Sequence, residues 1–419
     1  MPESSILWQN EAKTVVLLDL PRSIEEAQYL SDKQMLPGHE PPDTTAPFRR
    51  LICSPAPEQP FVTPEPKSSD YAQPAISPAA QIAELMTMAS VKSALDEIST
   101  SYQGPWCLPR LTSKPPAPVE SKQIATQPEE TAAPPKSTST PTEPNPPPKA
   151  TEDHSIIPTN QVDNPDSPYT PPTSHPLTGP FPPLSQTFSL ILLDPPWPNR
   201  SAKRKRSSPA AYTPLPSLSS THSLLSSFQI TTLLSPDGLV AVWVTNSPRF
   251  TTLLLNDIFP YNWGIELVAE WTWVKVTSRG EPIVSLGSQW RKPYERLLIA
   301  RKKGACAGAG GVKNKVIVSV PDIHSRKPNL KRVFEEVLPR GYTALEMFAR
   351  NLTAGWWGWG DEVMKFQGGE YWAQEEVVEG EEVVGPEGDL QENREEKTAG
   401  SARLEEDIAG NLSQIVQPG

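Results

Sequence analysis

The chain is poor in the residues that staple folds or bind metals. Of 419 residues, three are cysteine (Cys53, Cys107 and Cys306) and five are histidine. The cysteines are scattered, so neither a disulfide framework nor a zinc-ligand spacing is expected, and no metal is called for. A reducing intracellular compartment is the expectation. Long apolar runs are also missing. None approaches the roughly 20 residues of a membrane span, and the opening Met1 to Ser5 shows no basic or apolar signal pattern, so no membrane partner is expected. Internal repeats are absent.

Proline is abundant and unevenly spread. Of 51 prolines, 35 fall in the first 190 residues and 20 of those between 111 and 190. Such density, with Ser, Thr, Gln and Glu between, buries too little apolar surface to offset chain entropy. One sizeable core is therefore expected, C-terminal of the Pro-rich tract. The organisation reads as a partly ordered accessory region (1–110), a disordered Pro-rich linker (111–183), a catalytic-size domain (184–366) and a disordered acidic tail (367–419). Charge follows the same division. The whole chain carries a formal net charge of −11, which argues against a nucleic-acid partner. Residues 186–366, however, hold 23 basic and 13 acidic side chains, a net of +10, and 367–419 hold 3 and 14, a net of −11. A basic block lies between acidic flanks.

Within that block, continuous apolar runs at 188–194, 239–245, 265–276, 293–301, 316–320 and 344–349 have strand length. Helical patterns at 221–234, 249–259 and 328–338 lie between them. Earlier, 14–20 reads as a buried strand and 79–98 as a helix, forming either a small accessory unit or a layer docked on the core. The abundant C-terminal tryptophans read as packing residues. Apolar strands interleaved with helices predict an α/β layer fold with a mostly parallel sheet, whose ligands sit beyond the strand carboxyl ends.

The strand at 188–193 runs into Asp194-Pro195-Pro196-Trp197. The two prolines fix φ and lack N–H groups, which stiffens the turn and leaves a carbonyl to accept. Asp194 adds a carboxylate, and Trp197 a flat face for stacking. A planar ring bearing an NH₂ group satisfies all three. Holding both amine hydrogens aims the nitrogen lone pair at an electrophile, so that positioning drives attack on a methyl sulfonium. The rival reading is a plain turn in a Pro-rich protein. The run Asn199 to Arg206 follows, with Lys203, Arg204, Lys205 and Arg206 consecutive. It reads as a solvated charge run, a nuclear-import signal, or a substrate loop that meets phosphates. Tyr212 and Trp290 are candidates for base stacking or for simple packing. Arg291, Lys292, Arg301, Lys302 and Lys303 extend the basic surface.

Asp194–Trp197 resembles the DPPW motif of the MT-A70 family of S-adenosylmethionine-dependent adenine-N6 methyltransferases. The resemblance continues in order through Asn246–Pro248, Glu266–Lys275, Lys292–Leu298, His324–Asn329, Leu345–Asn351 and Trp359–Val363. It is most similar to the methyltransferase-like protein 4 branch. This implies a Rossmann-like methyltransferase fold in permuted motif order, with the catalytic motif ahead of the cofactor strand. It implies S-adenosylmethionine as cofactor and nucleic acid, RNA or DNA, as substrate. Catalysis would fall to Asp194, Pro195, Pro196 and Trp197. The cofactor would meet Asp194, Lys327, Phe348, Arg350, Asn351 and Asp361, the last standing where the family usually has Asn. Glu346 reads either as a further contact or as a structural partner. Asn199, Arg200, Lys203–Arg206 and Tyr212 would meet substrate. A nuclear monomer is expected, present also in the cytosol. Two alternatives stand beside this: a non-catalytic nucleic-acid-binding subunit, and an amino methyltransferase with another acceptor.

Overall fold

The apolar runs pair into one ten-stranded sheet. In this computed structural model, residues 4–35, 48–62, 78–112, 169–171, 173–198, 214–288, 291–305 and 311–374 are described. The strands in chain order are β1 (Ile6–Gln9), β2 (Val15–Leu18), β3 (Arg49–Leu51), β4 (His175–Leu177), β5 (Phe188–Leu193) and β6 (Leu234–Val244). They continue with β7 (Ile265–Lys275), β8 (Tyr294–Lys302), β9 (Lys315–Ser319), β10 (Ala344–Met347), β11 (Trp356–Trp359) and β12 (Trp372–Gln374). Across the sheet the order is β1-β2-β9-β7-β8-β6-β5-β10-β11-β4, with β3 and β12 forming a separate antiparallel pair.

Six of the nine pairings are parallel, and β8 runs antiparallel between β6 and β7. The carboxyl ends of β5, β6, β7, β9, β10 and β11 and the amino end of β8 therefore meet at one edge. Alternate side chains fill two layers. Leu190, Leu192, Trp243, Trp271 and Trp273 pack with Val333 and Phe334 on one face, and Ile191, Leu193, Val242 and Leu298 with Leu225, Phe259 and Trp263 on the other. Both faces are covered, which is why the strands read as unbroken apolar runs.

The N-terminal segments belong to this fold. β2 pairs with β9, and α1 (Leu20–Glu26) follows with Asp19 as its cap, one carboxylate oxygen accepting from Arg22 N at 2.9 Å and the other from Leu108 N at 2.8 Å. In α2 (Pro78–Ser101), Val91, Ala94, Leu95 and Ile98 bury against β2, β7 and β9 residues. Of the two expectations for this region, the docked layer is the one found.

Several elements differ from expectation for identifiable reasons. The helix expected over 221–234 divides into α3 (Leu218–Ser227) and a short turn at Ile230–Leu233, because Phe228 at the cap is extended. The one expected at 249–259 begins as α-helix at Pro248–Leu253 and widens to a π-helix over Leu254–Asn262. Pro260 lies inside it, where a missing N–H and a bulky ring disfavour the α pattern. The 328–338 helix keeps regular α geometry only over Lys331–Phe334. The linker boundary at 183 is corrected by β4, an edge strand that tolerates Pro176 because one side needs no ladder bond. The tail boundary at 367 is corrected by β12, which buries Trp372. The linker over 113–168 and the tail over 375–419 lie outside the described residues. No helix among the described residues is long and apolar enough to cross a membrane.

Candidate active site

A cavity of about 950 Å³ opens at the shared strand edge. Asp194–Trp197 enters it from β5, Thr245 and Asn246 from β6, Lys275 from β7, Glu295 from β8, Lys327 from the loop after β9, and Phe348 and Arg350 from the end of β10. Asp361 and Glu362 follow β11. The structure thus brings together every described residue expected for catalysis and cofactor contact, with Asn351 in a small recess alongside. Asn199, Arg200, Lys203, Arg204, Lys205, Arg206 and Tyr212 lie outside the described residues, as does Trp290.

The turn is tighter than its sequence suggests. Trp197 N donates to the Pro195 carbonyl at 2.8 Å and Leu215 N to the Pro196 carbonyl at 2.9 Å. Each carbonyl therefore keeps one lone pair rather than standing wholly free. Trp197 corrects a second expectation. It is 2 % exposed, its indole N–H donates to the Trp243 carbonyl at 2.8 Å, and its ring lies 4.7 Å from that of Phe250. It anchors the turn to the core and offers no open stacking face.

Four charges alternate across the cavity wall. Lys327 Nζ donates to both Asp194 oxygens at 3.1 and 3.0 Å and lies 3.2 Å from Glu295 Oε2. Lys275 Nζ reaches Glu295 Oε1 at 2.5 Å. Burial alone would lower the Lys327 pKa, but Asp194 and Glu295 outweigh it and hold the ammonium above its usual value. Burial likewise disfavours a charged Glu295, and Lys275 and Lys327 outweigh it and hold the carboxyl well below its usual range. The sequence expectation gave Lys327 an external carboxylate to meet. Here it is committed to two of the chain's own, while remaining on the cavity wall.

Glu346 is the counterexample. Burial, with repulsion from Asp194 added, pushes its pKa up to about 8. A carboxyl raised in the folded state binds its proton more tightly there than in the unfolded chain. Its contribution to stability is full below about pH 4.5 and is lost as pH rises toward about 8. Glu346→Gln should flatten the fall in melting temperature over this range, measured by thermal unfolding at pH 5 and pH 8. An equally steep fall would show that Glu346 is already ionised at neutral pH.

The rest of the wall is set by close backbone approach. Phe348 has φ of 63°, and a Cβ on Gly360 (φ 153°) would lie 3.1 Å from Phe348 Cα, so glycine is required there. Arg350 donates to Ser325 Oγ and pairs with Glu362, both at 2.7 Å. Asn351 Oδ1 is buried with no hydrogen-bond partner among the described residues. Such an orphan acceptor calls for a donor from a ligand. Lys275, Glu295 and Glu362 were not singled out from sequence. The available signal for Glu295 was a lone acid at the head of an apolar strand. Two expected members of the basic surface are neutralised: Lys292 pairs with Glu84, and Arg301 pairs with Glu266 at 3.2 Å.

An acidic turn closing a central strand, a half-buried ammonium beside it and an orphan acceptor in the adjoining recess define a methyltransferase-like α/β site. The MT-A70 family profile matches residues 188–362, the span that carries all of these strand ends, and the chain belongs to the MT-A70 family. It is 42 % identical over 389 residues to the "N6-methyladenosine RNA methyltransferase MTA1" of Pyricularia oryzae, covering 89 % of this chain and 97 % of that one. The Cryphonectria parasitica protein of the same name is 41 % identical over 88 % of this chain and 94 % of its own. The mouse "N(6)-adenine-specific methyltransferase METTL4" is 38 % identical over 203 residues, which is 44 % of this chain and 40 % of that one.

Proposed function

We propose that the protein transfers a methyl group from S-adenosylmethionine to the N6 amine of adenine in nucleic acid. The observation that carries this is the Asp194-Pro195-Pro196 turn at the carboxyl end of β5, its carboxylate oxygens both accepting from Lys327 Nζ on the cavity wall. Relatives along nearly the full chain carry names for adenine-N6 methylation of RNA, which supports the reading.

The residues fit the cofactor. Asn351 Oδ1 lacks a donor that a ribose hydroxyl supplies, Lys327 offers a cation to a carboxylate, and Asp194 an anion to an ammonium. Phe348, Arg350 and Asp361 complete that wall. The catalytic turn precedes Phe348–Asn351 and Asp361 in the chain, in keeping with a Rossmann-like fold in permuted order. When bound, the cofactor supplies an electrophilic methyl on a positively charged sulfur.

The chain's own task is to hold and polarise the amine. Asp194 accepts one amine hydrogen and the spare lone pair of a turn carbonyl accepts the other. This fixes the amine's rotation and directs its lone pair into the cavity. As nitrogen gains positive charge, the Asp194 carboxylate stabilises it and receives the proton that nitrogen must lose. A target adenine in a duplex must first leave the stack.

The test is transfer of labelled methyl to matched single-stranded RNA, single-stranded DNA and duplex panels, followed by nucleoside digestion and mass spectrometry. Label on adenine N6 is expected. Label on cytosine or on protein would overturn the acceptor assignment, and no transfer together with no cofactor binding would establish a scaffold subunit. Lys203–Arg206 is assigned to phosphate contact and nuclear import, acting in a monomer. Replacing all four cations with alanine should reduce the slope of log affinity against log salt by roughly 3 for a single strand. An unchanged slope would show that they touch no phosphate.

A further inference from the structure

With Trp197 turned into the core, the cavity needs another surface for a planar base. The walls contributed by the sheet supply none. Trp243, Trp273 and Tyr294 are each at most 4 % exposed, and Phe348 is held edge-on by Phe228 and Trp359. Among the described residues lining the cavity, Phe61 is the one exposed Phe, Tyr or Trp, at 55 %.

Phe61 sits on a strap from the N-terminal region that is fastened at both ends. Ser54 donates through its backbone N at 2.7 Å and its hydroxyl at 3.0 Å to Asp322 Oδ1. Ser278 N donates to the Pro57 carbonyl at 2.8 Å, and Phe61 N to the Ile283 carbonyl at 2.7 Å. The strap therefore runs between the loop after β9 and the loop between β7 and β8, and Asp322 and Ile283 line the same cavity. Pro55, Pro57 and Pro60 stiffen it. An aromatic ring kept in water forgoes roughly 1.5–3 kcal/mol of burial, and the bond from Phe61 N to Ile283 fixes the backbone that carries it at the cavity. Among the described residues none covers it, and it stands at the cavity where an occupant can.

We propose that the target adenine stacks on Phe61. This assignment rests on the functional reading above and adds the residue that receives the base. The strap is thus a substrate wall built from the N-terminal region rather than from the sheet. Stacking holds the base equally in the ground and transition states, so its loss raises KM and leaves kcat nearly unchanged.

The experiment uses the full chain and an oligonucleotide that it methylates, with 2-aminopurine at the target position as a fluorescent probe that lacks the reactive amine. Phe61→Ala should raise the oligonucleotide KM by about 5- to 100-fold, the range expected for one base–aromatic stack. It should abolish the quenching of 2-aminopurine on binding and leave calorimetric cofactor affinity unchanged. Phe61→Trp should retain both KM and quenching. Phe61→Leu, apolar but not planar, should behave like Phe61→Ala. An unchanged KM and intact quenching in Phe61→Ala, or full rescue by leucine, would overturn the proposal while the functional reading stands. Absence of transfer by the unsubstituted protein would remove both.

Discussion

Asp194→Ala should lose about 10²- to 10⁴-fold in turnover, the span expected when a charge-stabilising, proton-accepting group is removed, and should remain folded. The carboxylate is 26 % exposed and lies on the cavity wall, so its removal opens no hole in the core. Lys327 keeps a partner in Glu295 at 3.2 Å, and no buried cation is stranded. The variant should therefore melt within a few degrees of the parent, and bind cofactor more weakly for want of the anion that Asp194 offers to its ammonium. Asp194→Asn sharpens the test. It keeps the shape and one acceptor, but removes the charge and sets an amide beside the Lys327 ammonium, so its turnover should also collapse. A second readout is independent of activity. Asp194 is one cause of the raised Glu346 pKa, so loss of the charge at 194 should lower that pKa and reduce the stability lost between pH 5 and pH 8. Near-normal turnover in Asp194→Ala would sink the mechanism. An unchanged pH dependence would show that the two carboxylates do not sense one another.

What could be seen in the sequence was what sits close together along it. Asp194–Trp197 was legible because a strand, a stiff turn and a carboxylate occupy ten consecutive residues. Lys327, Phe348 and Arg350 were singled out through the resemblance of the His324–Asn329 and Leu345–Asn351 blocks, which lie beside a helix start and at a strand end. Long-range pairings carried no such mark. Glu295 meets Lys327 across 32 residues, and Ser54 meets Asp322 across 268. Nothing local announces either contact. Trp197 misled because an indole beside a carboxylate suggests a stacking face, whereas its N–H finds the Trp243 carbonyl 46 residues away. The strands β4 and β12 are three residues each, too short to show a period, and β4 carries a proline. Composition placed both outside the core, and only pairing with β11 and β3 brings them in.

The largest effect on stability should come from the strap's far anchor. Asp322 and Arg326 form an ion pair at 2.5 Å with side-chain exposures of 0 % and 1 %. Arg326 also donates to the Ile52 carbonyl at 3.2 Å and stacks over the Phe366 and Tyr371 rings at 4.6 and 5.4 Å. Its Nε and Nη2 already lack partners among the described residues, so the guanidinium depends on this one carboxylate for charge compensation. Asp322→Ala strands a buried cation and removes the acceptor of both Ser54 bonds. A loss of about 3–5 kcal/mol is expected, as for other buried pairs broken on one side. For a domain of this size that corresponds to roughly 10 °C in melting temperature. Replacing both partners with apolar residues, Asp322→Leu with Arg326→Met, should recover most of that stability because no charge is then stranded. The double variant still cannot fasten Ser54. It should therefore keep its fold while the strap loosens and the oligonucleotide KM rises, with cofactor affinity unchanged. A double variant as unstable as Asp322→Ala would mean that the pair contributes through shape rather than charge. A stable one with unaltered KM would mean that the strap holds its place without Asp322.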